Sequence, residues 1–269
     1  MKRILLALLL ALTGAAAHAY DFSSGGIYYN ILSNEKDVEV TSGVYSGTIV
    51  IPSSVRYNNK SYRVTAIGKE AFYRRSVTSV TIPNSVTTIG EYAFDGCSSL
   101  TSIALPNSIT MISYDAFHGC TGLTSLTIPN SVKTIGAYAF SGCTGLTSIT
   151  IPNSVKTIGE CAFWYCSGLT SIALPNSITM ISFGAFKGCT GLTSLTIPNS
   201  VKTIGEDAFE GCTGLTSLTI PNSVTTIGDH AFYGCSSLTG ALTIPNSVRT
   251  IGDSAFNGCT GLTSLTIPN

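Results

Sequence analysis

Residues 123–145 read Leu-Thr-Ser-Leu-Thr-Ile-Pro-Asn-Ser-Val-Lys-Thr-Ile-Gly-Ala-Tyr-Ala-Phe-Ser-Gly-Cys-Thr-Gly. Leu123, Leu126 and Ile128 alternate with Ser125 and Thr127, the period-two pattern of a strand with one buried face. Pro129 has no N–H to give a ladder, so it ends that strand. Further on, Ile135, Ala139, Phe140 and Cys143 recur at helical spacing, which predicts a short helical turn packed back on the sheet, with Gly136 and Gly142 at its corners. The stretch is one copy of many. Prolines stand at 52, 83, 106, 129, 152, 175, 198, 221, 245 and 268, each after Ile or Leu, with gaps of 31, then six of 23, then 24 and 23. A period of this size over most of a chain marks a solenoid, in which each unit buries its apolar face only against its neighbours.

The L-x-x-L-x-L opening of the unit fits the leucine-rich-repeat frame, with Ser131 near the place where that frame carries Asn. The expected fold is therefore a leucine-rich-repeat solenoid, an α/β repeat with a parallel β-sheet on one face, short helical turns on the other and an N-terminal β cap. Residues 51–269 form about nine coils, the first lengthened by a hairpin around Asn58-Asn59-Lys60 and the last incomplete. Residues 20–50 do not repeat and read as the β capping segment, with strands at Ile27–Leu32, Asp37–Val40 and Thr48–Ile51. Gly240 is a one-residue insertion that reads as a strand bulge. Residues 103–113 recur unchanged at 172–182, three repeats on, as a duplicated block would.

Lys2 and Arg3, an apolar run from Ile4 to Leu12, and Ala17-His18-Ala19 compose a signal peptide over residues 1–19, with Tyr20 as the first mature residue. The chain is then exported, either secreted or held at the cell surface, with the periplasm as the other compartment open to it. No other apolar run approaches the roughly 20 residues of a spanning helix, so no membrane span is expected. The whole chain carries 14 Lys+Arg and 14 Asp+Glu. Removing Lys2 and Arg3 leaves 12 cations against 14 acids. No basic surface is concentrated enough to displace counterions from a phosphate backbone, which excludes nucleic acid as a partner.

The motif I-P-N-S-V-x-x-I-G-x-x-A-F-x-G-C-x-x-L-T-S, from about residue 49 to 269, resembles the BspA-like leucine-rich-repeat surface proteins. The opening Gly26-Ile-Tyr-Tyr-Asn-Ile-Leu and the Tyr57-Asn-Asn-Lys-Ser-Tyr insertion are similar to the start of bacterial members. That resemblance implies a non-enzymatic adhesive role, with extracellular-matrix proteins, fibrinogen or other cells as partners. It transfers no contact residues. Against it stand a structural spacer, or a fragment of a longer surface protein, and, more remotely, ice binding by the Ser/Thr ladder of residues such as Ser125 and Thr127.

Candidate site residues follow from position in the repeat. Eight cysteines, from Cys97 to Cys259, share one column and read as buried free thiols, small core residues rather than disulfides or metal ligands. Cys161 sits elsewhere, at a place filled by Tyr92, Tyr138, Asp207 and His230 in other coils, and is the expected exposed thiol. His118 and His230 lie nearly five coils apart, so no catalytic triad is expected. Glu206, Asp229 and Asp253 form an acidic column that reads as helix-start acids rather than a calcium site. No catalytic, cofactor or metal residue is assigned. Variation gathers near the turn, where Trp164, Tyr165 and Tyr233 are the candidate partner-binding anchors, since exposed aromatics carry interface energy. The last coil stops at Ile267-Pro-Asn269, and an open parallel edge there is expected to self-associate.

Overall fold

The computed structural model describes residues 20–267; the signal peptide read at 1–19 lies outside them. Strands β1 (Phe22–Ser24), β2 (Ile27–Ile31) and β3 (Asp37–Val40) form an antiparallel meander. β4 (Ser46–Val50) follows, then β5 (Ser54–Tyr57) and β6 (Lys60–Ile67), an antiparallel hairpin. Asn58 and Asn59 make its two-residue turn with φ of 48° and 61°, the left-handed pair that matches the twist of a hairpin. β3 pairs in parallel with β6, and β6 with β8 (Thr88–Ile89). β4 pairs in parallel with β7 (Ser76–Thr81), and β7 with β9 (Ser102–Ala104).

Most coils thus contribute to two parallel ladders, and the coil that begins at Leu215 contributes only to the second. One takes three-residue strands such as Ser125–Thr127 and Ser148–Thr150, and the other takes two-residue strands such as Thr134–Ile135 and Thr157–Ile158. Both run in the 23-residue register, with Ser125 opposite Ser148 and Ile135 opposite Ile158. Ser125 and Thr127 are exposed while Leu126 between them is buried, so the alternation in the sequence is the in-and-out alternation of the strand. At Gly240, with φ of 79°, the pairing of Gly240–Thr243 with Leu262–Thr266 shifts by one residue.

The expected short helical turns are corrected by the structure: the described residues contain no helix, and the second face of the coil is a run of tight turns. The reason lies in where the backbone donors go. Ala93, Asp95 and Cys97 donate to carbonyls three residues back, but Tyr92, Phe94 and Gly96 donate to Tyr114, Ala116 and His118 of the next coil. A helix would keep all of these bonds inside one coil. The alternation requires left-handed residues at two places per coil. Gly96, Gly142 and Gly188 fill the second with φ of 70°, 69° and 73°, whereas Tyr92, Asp115 and Tyr138 occupy the first with φ of 56°, 50° and 55°. Two such residues in six end any helix.

Behind the turns stands a column of phenylalanines from Phe72 to Phe256, with neighbouring ring centroids 5.0 to 5.5 Å apart and planes within 12°. All but the last are completely buried, each contributing about 1.5–3 kcal/mol of apolar burial. Tyr45 ends the stack, its ring 4.6 Å from that of Phe72. Its hydroxyl donates to Thr41 O at 2.7 Å and accepts the Tyr28 N–H at 3.1 Å, so the one polar atom brought into the column is satisfied.

The cysteines of the column are free and buried. Each thiol points at the carbonyl of the phenylalanine one coil earlier, as Cys120 does to Phe94 O at 3.2 Å and Cys143 to Phe117 O at 3.1 Å. Phe94 O also accepts the Cys97 N–H at 3.1 Å. Cysteine here is both a small apolar filler and a weak donor to a buried carbonyl, a pairing that neither alanine nor valine can offer.

Candidate interaction surface

The coils differ from one another mainly along the turn arm. Three positions carry the variation: the residue after the glycine or serine corner, the left-handed residue that follows it, and the residue after the buried phenylalanine. In successive coils the last of these is Asp95, His118, Ser141, Trp164, Lys187, Glu210 and Tyr233. The backbone beneath them is fixed by the inter-coil bonds, so their side chains form an irregular surface on a regular frame.

Aromatic rings dominate its N-terminal half. Tyr92 and Tyr114 meet edge-on at 5.3 Å, Tyr114 and Tyr138 at 5.8 Å, Tyr138 and Trp164 at 6.0 Å, and Trp164 stacks on Tyr165 at 5.2 Å. Lys69 Nζ lies 5.5 Å from the centre of the Tyr92 ring. Of the three residues singled out from the sequence, Trp164 and Tyr165 are brought together. Tyr165 is 53% exposed and left-handed, with φ of 54° where the other regular coils carry glycine; its ring covers Gly188, where any Cβ would collide with it. Trp164 is not the exposed anchor expected of it. It is half-buried between Tyr138 and Tyr165, and its Nε1–H is buried with no acceptor. Tyr233 is 40% exposed and packs edge-on to His230 at 5.5 Å, apart from the other two. The line of Tyr92, Tyr114 and Tyr138 escaped sequence reasoning. The signal for it was an aromatic in every coil from 92 to 165, at shifting places in the repeat.

The expectation of an exposed thiol at Cys161 is corrected: it is 3% exposed. Its Sγ lies beneath Gly184 of the next coil, close enough that a Cβ there would stand 2.9 Å away. Burial pushes its pKa up, which the Tyr138 hydroxyl only partly offsets, so this is not a reactive thiolate.

Charged residues on the turn arm pair between coils. His118 Nδ1 is 2.8 Å from Asp95 Oδ1, and Lys69 Nζ is 3.5 Å from Glu91 Oε2. Lys187 Nζ reaches Asp207 Oδ2 at 2.9 Å and Glu210 Oε2 at 2.7 Å, with His230 Nδ1 3.8 Å from Asp207 Oδ1. Burial opposes the charge of Lys187, but the bonds to Glu210 and Asp207 outweigh it and hold the ammonium above its ordinary range. Of the acids expected to start helices, Asp229 instead meets the backbone of the next coil, its Oδ1 accepting the Asp253 N–H at 2.8 Å. Among the described residues no three His, Cys, Asp or Glu side chains are grouped to hold a metal ion, and no helix is long and apolar enough to cross a membrane.

The opposite face is uncharged and hydroxylated. Thr147, Thr170, Thr193 and Thr216 each donate Oγ1 to the threonine carbonyl one coil earlier, at 3.0 to 3.3 Å, so part of this array is satisfied within the protein. The ladder is not continuous. Ser102–Ala104 and Ser125–Thr127 belong to separate sheets, and a shallow groove of about 380 Å³ lies between them. A second, of about 510 Å³, lies between Thr196 and Thr219.

Parallel ladders, an L-x-x-L-x-L strand and a 23-residue coil define a leucine-rich-repeat solenoid. Within that class, residues 65–193 and 179–269 match the BspA type leucine-rich repeat region in six copies, and the chain belongs to that family. It is similar to the leucine-rich-repeat protein of T. pallidum, at 34% identity over 72% of this chain and 90% of that one, with a TM-score of 0.66. A Bacteroides ovatus leucine-rich-repeat protein is 29% identical over 91% of this chain and 94% of that one, TM-score 0.40. The pneumococcal vaccine antigen PcpA shares the fold at 22% identity, over 92% of this chain and 81% of that one, TM-score 0.53. No curated protein matches the chain.

Proposed function

We propose that this is an exported, non-enzymatic protein that adheres to host matrix proteins or to other cells through the turn arm of its solenoid. The observation that carries the reading is the contrast between the two faces. The sheet face repeats Ser and Thr with little change, whereas the turn arm presents a different side chain in nearly every coil and keeps Tyr114, Tyr165, Phe183 and Tyr233 exposed. Exposed aromatics held on a rigid backbone carry binding energy at little entropic cost. The resemblance to exported surface proteins and the charged, apolar, small-residue leader support a location outside the cytoplasm. Ala104 and Ala173, which carry no hydroxyl, and the breaks in the sheet beside Ala104 and Thr219 weigh against ice binding, which needs a flat, unbroken array.

The test is binding of a size-selected, monodisperse sample, beginning at Tyr20, to fibronectin, fibrinogen, collagen and mucin. Saturable binding to one of them, weakened by Tyr165→Ser, is the expected result. Thermal hysteresis would favour the ice reading, and binding to nothing would favour a spacer.

A further inference from the structure

Charge is segregated around the coil. Every Asp and Glu from Glu91 to the C-terminus, nine in all, stands on the turn arm. Of the five cations in the same stretch only Lys187 does, and Asp207 and Glu210 engage it. The other four, Lys133, Lys156, Lys202 and Arg249, form a single column at the start of the two-residue strands and make no ion pair with the acids. The aromatic line of Tyr92, Tyr114, Tyr138 and Tyr165 therefore runs along an acidic face, flanked by the exposed Glu91 and Glu160, with Asp115 buried beneath it.

The chain itself contains one instance of what such a face receives. Lys69 lies over the Tyr92 ring at 5.5 Å while its ammonium stands 3.5 Å from Glu91. Two coils on, Tyr138 donates its N–H to Glu160 O at 2.9 Å, the charges of Glu160 and Asp115 both act on its hydroxyl, and among the described residues no cation lies over its ring. A ring face with carboxylates at its edge favours a lysine or arginine side chain through both attractions at once. The same field repels phosphate backbones and anionic lipid.

We infer that the turn arm is a docking surface for a basic protein segment, whose lysine or arginine side chains lie across the Tyr114–Tyr138–Tyr165 line between Glu91 and Glu160. This rests on the reading that the turn arm binds protein. It adds the chemistry of the partner and the part played by each charged column.

The experiment titrates the same purified chain with a fifteen-residue peptide of repeated Lys-Ser-Gly and with its Glu-Ser-Gly counterpart. The fluorescence of Trp164, the single tryptophan, reports the adjoining rings. The basic peptide is expected to bind saturably and to weaken about tenfold between 50 and 300 mM salt, while the acidic peptide does not bind. The variant carrying Glu91→Gln, Glu160→Gln and Glu206→Gln, all exposed, should weaken binding by about tenfold. The variant carrying Lys133→Gln, Lys156→Gln and Lys202→Gln should bind as tightly as the parent or more so, and its fold serves as a control for the loss of three surface charges. Equal binding of both peptides, or loss only in the lysine variant, overturns the inference. So does salt-independent binding of a matrix protein that the glutamine variant retains, an outcome that leaves the protein-binding reading standing. Failure of both peptide and matrix proteins to bind overturns both.

Discussion

Raising the pH from 9 to 10 should destabilise this protein far more than an ordinary repeat array, and the cysteine column sets the size of the effect. In the unfolded chain a thiol titrates near 9. In the fold, burial pushes Cys97 up to about 11 and Cys143 and Cys189 up to about 12, and holds Cys120, Cys166, Cys212 and Cys235 well above the ordinary range. These folded values are raised, so the stability they contribute is complete below pH 9 and is lost as the pH climbs toward them. Over that window the unfolded chain releases protons that the folded chain keeps. Between pH 9 and 10 each such thiol costs about 1 kcal/mol, and the seven together about 7 kcal/mol if their coils unfold as one unit. Urea melts at pH 7, 8, 9 and 10 under a phosphine reductant measure the loss. The comparison that isolates the thiols is the double variant Cys143→Ala and Cys189→Ala. Surface tyrosines and lysines titrate alike in parent and variant, so the difference in slope belongs to the two cysteines and should average about one and a half protons between pH 9 and 10. A parent whose stability is flat from pH 9 to 10, or a variant with an unchanged slope, would refute the reasoning.

Phe163→Ala removes one ring from the middle of the stack and should cost about 3–5 kcal/mol, read as a drop in the urea midpoint and as faster hydrogen exchange in the coils on either side. Gly142→Ala places a Cβ at φ of 69° and should cost about 1 kcal/mol, with Gly142→Asn recovering part of it in the same melts. Lys187→Met leaves Asp207 and Glu210 facing each other without their shared ammonium and should cost about 1–3 kcal/mol. Hydrogen exchange should localise that loss to residues 183–211, and unchanged protection there would contradict the pairing.

Much of the coil was legible because its inward positions stay apolar in nearly every coil, Arg75 at the first cysteine position being an exception. Leu126, Ile128, Phe140 and Cys143 identify the core by repetition alone, and Pro129 marks the strand end. The second ladder was not, since a two-residue element such as Thr134–Ile135 carries no period. Helical spacing from Ile135 to Cys143 arose from a different cause: consecutive tight turns also bring every third or fourth residue inward. What excludes a helix is the left-handed backbone at Tyr92 and Tyr138, and tyrosine gives no compositional sign of that. Cys161 and Trp164 were misplaced for a related reason. Their burial depends on Gly184, Tyr138 and Tyr165, which lie beside them only once the coils are stacked.

The near-identity of successive coils also bears on how the chain reaches its register. Residues 103–113 and 172–182 are the same sequence, and most other coils differ only at the turn arm, so a coil meets much the same apolar surface whichever neighbour it lands on. Pairing that skips a coil loops out one repeat, a length whose closure costs little more than a shorter loop would. Such an array has translational symmetry and no preferred origin of its own. Tyr45, whose hydroxyl is tied to Thr41 and Tyr28, is where that symmetry is broken: it offers a ring to the next phenylalanine on one side only. It also leaves the ribosome before any phenylalanine of the stack. The N-terminal segment therefore acts as a seed that gives the growing lattice its zero, and fidelity comes from the order in which coils are added.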